Sequence, residues 1–188
     1  MNSKQEELYY EIFNCSKCQV KSIMDNNHIY GLDITFFGDL ARMPGKSNDK
    51  DIGRRKSKSG KVVPFIRNSD QVIARKNAMV AHYRDACMNQ GDPLRSFGDR
   101  LIHVHAWLAN YKGRWDSHNC SKSIGDFLED AAIVNDDSTA TIWCEKLPIF
   151  LEANEIAQTT IFILDALEAS VAKAPYLNYL WEKRDEAS

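Results

Sequence analysis

The sequence predicts an α+β fold, a mixed β-sheet flanked by helices. One long segment, 69–89, carries apolar residues at helical spacing. Four runs, at 32–39, 100–108, 140–147 and 158–164, are rich in β-branched and aromatic residues. These elements follow one another without the regular strand–helix–strand alternation that builds a parallel sheet, and no internal repeat is present.

In chain order, residues 3–13 read as a short amphipathic helix that uses Leu8, Ile12 and Phe13. Leu32 to Asp39 is the first expected strand, and a basic loop follows. Lys61 to Ile66 is a brief strand interrupted by Pro64. Ser69 caps the long helix, whose apolar face is Val72, Ile73, Met79, Val80 and Tyr83, and Gly91-Asp92-Pro93 ends it. Arg100 to Leu108 alternates, so that Ile102, Val104, Ala106 and Leu108 face the core while His103, His105 and Trp107 face away. Further strands are expected at 140–147 and 158–164, then a C-terminal helix broken near Pro175 that docks Tyr176, Tyr179 and Trp181.

Composition limits the classes of function. A chain of 188 residues fits one domain with a substantial core. With 44% hydrophobic residues and no apolar run near 18 residues, it reads as neither disordered nor membrane-spanning. The polar start MNSKQEELYY lacks a secretory layout, and five cysteines form no disulfide-like framework, so a cytoplasmic setting is expected. Cys15-x-x-Cys18 is short of ligands for a closed zinc site, with only His28 nearby, and reads as free thiols. Gly45-Lys46-Ser47 lacks the glycine spacing of a P-loop.

Charge is polarised although the net value is −2. Between Arg42 and Lys76 eleven basic residues face three acids, whereas from Asp126 onward thirteen acids face four bases. The segment GKSNDKDIGRRKSKSGK reads as a basic, flexible loop able to follow a phosphate backbone, and it has no aromatic residue for base stacking. Candidate DNA contacts are Lys46, Asn48, Arg54, Arg55, Lys56, Lys58, Lys61 and Arg67, with Lys112, Arg114 and Lys146 nearer the motif described next. A merely solvated charged surface is the alternative.

The most informative run is KGRWDSHNCSKSIGDFLEDAAIVNDD, 112–137. If Asp116 caps a helix running from about Ser117 to Ala132, then His118, Asn119, Lys122 and Asp126 fall within about a 100° arc of one face. Cys120, Ile124, Phe127, Leu128 and Ala131 form the opposite, apolar stripe. Asn135 to Ser138 reads as a turn that returns Asp136 and Asp137 towards the helix. Carboxylates of this kind suit Mg²⁺ or Mn²⁺, and a lysine beside them suits phosphate. Each residue also has a structural reading: Asp116 as a cap, Lys122 and Asp126 as a surface pair, and Asp136-Asp137 as loop filler.

The pattern Asp116-x-His118-Asn119-x-x-Lys122-x-x-x-Asp126-x-Leu128, followed eight residues later by Asp136-Asp137, resembles the signature of the RusA family of Holliday-junction resolvases. Glu145-Lys146-Leu147-Pro148 and, more weakly, Pro44-Gly-Lys-Ser-Asn48 add to the likeness, which covers about residues 32–165. The resemblance implies a RusA-like nuclease domain at 32–165; residues 1–31 and 166–188 lie beyond it and are expected as helical extensions. It implies a homodimeric, Mg²⁺-dependent endonuclease, with Mn²⁺ as the alternative ion, that nicks four-way DNA junctions symmetrically in recombination and repair. Asp116 and Asp137 would ligate metal, Lys122 would be the catalytic lysine, and Asn119, Asp126 and Asp136 would support them, Asp136 as a further metal ligand. His118 stands where the family carries a second aspartate. An imidazole there keeps a metal ligand but removes a negative charge, which shifts preference from Mg²⁺ towards Mn²⁺ or softer ions. The rival readings are a junction-binding protein that does not cleave and an unrelated interaction module.

Overall fold

Sheet and helices are joined by alternating apolar residues on three central strands. The computed structural model describes residues 1–25, 28–43, 50–89, 96–108, 117–146 and 157–167. The elements are α1 (Ser3–Asn14), β1 (Ser16–Asp25), β2 (His28–Gly38), β3 (Lys50–Lys56), β4 (Val62–Asn68), α2 (Asp70–Asn89), β5 (Ile102–Leu108), α3 (Ser117–Asp130), β6 (Ala140–Lys146) and β7 (Gln158–Asp165). Five strands form one sheet in the order β1-β2-β7-β5-β6, and β3 and β4 form a separate ribbon. Every pairing in the large sheet is antiparallel except β5 with β6, so the sheet is mixed and the fold is α+β. A parallel pair needs a crossover, and α3 supplies it.

Leu32, Ile34 and Phe36 of β2 lie in register with Ile163, Ile161 and Thr159 of β7, and Val104 and Ala106 of β5 continue two of those rows. This face meets Ala78, Met79 and Tyr83 of α2 and Ile124, Phe127 and Leu128 of α3 in a single core. Phe127 takes Phe36 edge-on at 5.4 Å and Tyr83 edge-on at 5.9 Å, so one ring ties both helices to the sheet. Burying such a ring stabilises by about 2 kcal/mol before packing is counted. The reverse face is also closed at its centre, where Asp33, Thr35, Thr160 and Phe162 are buried.

Two segments differ from the sequence expectation. Among the described residues before 32, helix is confined to α1; Ser16–Asp25 is a strand that pairs along its length with β2 and forms a sheet edge. Its alternation is faint because Lys17, Gln19 and Lys21 are exposed and the other side buries one apolar residue, Val20, beside the polar Ser16. The basic segment is not a loop throughout: β3 pairs with β4 from Lys50–Asn68 to Lys56–Val62. The partner strand brings Val62, Val63, Phe65 and Ile66, which supply the pleated surface that the lysines and arginines do not. Pro64 sits within β4 opposite Arg54, which a two-stranded ribbon tolerates because both strands are edges. The turn closes through Ser57 N–H to Lys61 O at 2.8 Å and Gly60 N–H to Ser57 O at 2.9 Å, with Gly60 at φ 80°. The C-terminal helix expected beyond 167, with Tyr176, Tyr179 and Trp181, lies outside the described residues.

Candidate functional site

α3 forms where the motif predicts it, and its apolar stripe is the stripe read from sequence. Cys120, Ile124, Phe127, Leu128 and Ala131 are all buried, whereas Lys122 is exposed and Asp126 half-buried. Asp116, expected as the N-cap, together with Lys46, Asn48, Lys112 and Arg114, lies outside the described residues, as do the side chains of His118, Asn119 and Lys146.

The return of the chain after α3 is built by a left-handed residue. Ala132 stands at φ 58°, Ala132 N–H donates to Glu129 O at 2.9 Å, and Ile133 N–H donates to Leu128 O at 2.9 Å. This pair of bonds is a Schellman stop, which satisfies the last carbonyls of the helix and reverses the chain. Ile133 and Val134 then plug into the core at 0% and 2% exposure. Segment 96–100 clamps them from outside: Phe97 N–H donates to Ile133 O at 2.7 Å and Asn135 N–H to Gly98 O at 3.0 Å. At this same end of the helix, Lys76 of α2 pairs with Asp130 at 2.5 Å, and Arg84 donates to the Asp130 carbonyl at 3.3 Å. Cations there complement the negative end of the helix dipole.

So held, the acidic turn runs back along α3. Asp136 caps the short turn Asp137–Thr139 by accepting from Ser138 N–H at 2.8 Å. The Ser138 hydroxyl and then its backbone N–H hold the Asp136 carboxyl below the usual carboxylate range. Asp137 is exposed and seated over Gly125, where an added methyl would come within 3.1 Å of its Oδ2 and 3.3 Å of its Cβ. One turn nearer the helix start, Ser121 Oγ meets Cys144 Sγ of β6 at 3.4 Å, which fixes the helix against the edge strand. The sequence signal at Gly125 is an isolated glycine inside an amphipathic helix, which marks a close approach.

The fold therefore brings Asp137 to the α3 surface at Gly125, three residues along the helix from Lys122. It seats Asp137 seven residues from His118, about 10 Å of helical rise. Among the described residues, no three His, Cys, Asp or Glu side chains converge to hold a metal by themselves, and Asp116 and His118 are not among those side chains. For a Mg²⁺-type ion, which takes one or two carboxylates and keeps waters, Asp137 and Asp136 are suitable hard donors. His103 is exposed, and His105 lies 3.6 Å from Glu145 and edge-on to Trp107, a packed arrangement on the face away from the helices.

The candidate DNA contacts whose side chains are described lie on the ribbon and its turn. Arg54, Arg55, Lys56, Lys58 and Lys61 are exposed, and Arg67 anchors its base to Asp70 at 3.4 Å and to Asp51 at 3.8 Å. No helix of the described residues is long and apolar enough to cross a membrane. Comparison with protein-family models and with curated proteins finds no match.

Proposed function

We propose that the chain is a metal-dependent, structure-selective endonuclease that resembles the RusA resolvases and cuts branched DNA as a cytoplasmic homodimer. The observation that carries the reading is Asp137 seated over Gly125 of α3, the helix that also carries the exposed Lys122 three residues earlier. Acid and lysine from distant parts of the motif thereby belong to one helix and the turn packed on it. Asp137, with Asp136, Asp116 and His118, would hold Mg²⁺ or Mn²⁺. When bound, the ion would supply an activated water and neutralise charge on the scissile phosphate. Lys122 would hold a non-bridging phosphate oxygen as negative charge builds there, and the ribbon cations would hold the flanking backbone. Asp126 would orient Lys122 from the next turn of the helix.

A junction-cleavage assay in Mg²⁺ and in Mn²⁺ tests this reading. Asp137→Asn is expected to lower nicking by at least about 100-fold while junction binding is unchanged. Retained cleavage in that variant would refute the assignment. A second reading, a junction binder that does not cut, is favoured by His118 in place of an acid and by its 10 Å rise from the level of Asp137. Junction binding without nicking in either ion would select it, and equal affinity for branched and linear DNA would remove both.

A further inference from the structure

The β3–β4 ribbon places an opposed apolar pair next to a run of cations. Residues 50–68 hold seven basic residues and one acid. Ile52 and Ile66 stand directly opposite each other in register and are 77% and 75% exposed. Alternation puts them on one face with Arg54, Lys56, Val62 and Pro64. On the other face Phe65 lies over Gly53, and the Arg55 guanidinium sits 5.7 Å from its ring. The ribbon is rooted rather than loosely tethered. Arg67 joins Asp51 of β3 to Asp70 at the start of α2, and Asp70 in turn accepts from Gln5 of α1 at 2.8 Å.

A two-stranded ribbon has the width of the DNA major groove, and apolar side chains framed by cations act as wedges between base steps. Base pairs at a branch point have already lost part of their stacking, so entry there costs least. We infer that Ile52 and Ile66 are a wedge that enters the base stack at the centre of a DNA junction, with Arg54, Lys56, Lys58 and Lys61 holding the adjoining phosphates. The inference rests on the branched-DNA reading and adds the residues that select branched over linear DNA. Charge complementarity favours a polyanion. The apolar side chains exposed on that face, Ile52, Ile66 and Val62, are interrupted by Arg54 and Lys56, and so small an apolar area is too little for stable insertion into a lipid surface, which makes DNA the occupant.

The test uses the full chain and a double variant, Ile52→Thr with Ile66→Thr, which keeps β-branched residues in both strands. Both proteins are bound, in chelator, to a four-way junction carrying 2-aminopurine at the branch point and to a linear duplex of the same arm sequence. The parent is expected to brighten the probe and prefer the junction. The variant is expected to lose the brightening and about tenfold of junction affinity, with duplex affinity unchanged. A variant that brightens the probe as the parent does would overturn the wedge. So would a parent that leaves the probe dark but binds phosphatidylserine vesicles in an isoleucine-dependent way. Nicking in Mn²⁺, measured separately, keeps the two readings apart: brightening without nicking supports the wedge and removes the nuclease, and nicking without brightening does the reverse.

Discussion

Asp137 owes its place to two small residues. Gly125 leaves room for its carboxylate, and Ala132 turns the chain that delivers it. Alanine in a helix interior ordinarily gains about 1 kcal/mol over glycine. At position 125 the new methyl pushes instead on Asp137, which is exposed and able to yield. Gly125→Ala is therefore expected to leave unfolding free energy within about 1 kcal/mol of the parent while nicking falls about tenfold through misplacement of the acid. Undiminished nicking with a folded protein would show that the seat over Gly125 has no part in catalysis. Ala132 presents the opposite case, since an L side chain at φ 58° is strained and glycine is not. Ala132→Gly is expected to raise stability by about 1 kcal/mol, read as a higher urea midpoint at unchanged slope. A lower midpoint would contradict the strain.

At the scale of elements, α1, α2 and the ribbon meet at one carboxylate. Asp70 is buried at 7% exposure, accepts from Gln5, and lies beside Arg67. The Gln5 bond first, and the Arg67 charge after it, hold its carboxyl below the ordinary range. A depressed folded value means the stabilisation is present above the unfolded carboxylate range and is lost as pH falls through the folded value. Acidification below the usual carboxylate range is therefore expected to lower the melting temperature of the parent more than that of Asp70→Asn, which has already lost the charge. Parallel pH profiles for the two proteins would exclude this coupling. The same carboxylate explains why α1 is not an independent extension: its capping box, in which Asn2 and Gln5 bond reciprocally, sets the helix start beside α2.

For the whole molecule the governing feature is the separation of charge, basic on the ribbon and acidic from α3 onward. DNA affinity is expected to fall steeply with salt. Replacing Arg54, Lys56 and Lys58 together by alanine should make the slope of log K against log salt shallower by about 3. A slope that does not change would place the phosphate contacts elsewhere.

Local pattern settled much of this protein. The α+β class, the core face of β5, the Ser69 cap of α2, whose hydroxyl accepts from Val72 N–H at 3.2 Å, and the apolar stripe of α3 follow from periodicity and from short-range hydrogen bonding. What the sequence did not disclose depends on partners far along the chain. β1 is a strand because β2 offers it a ladder, and β3 is a strand because β4 supplies the β-branched residues that its own lysines, arginines and glycine lack. The seat of Asp137 over Gly125 likewise required the Schellman stop and the clamp from segment 96–100, contacts that only chain reversal creates. Side-chain spacing encodes which face an element buries; tertiary structure alone decides what is brought to meet it.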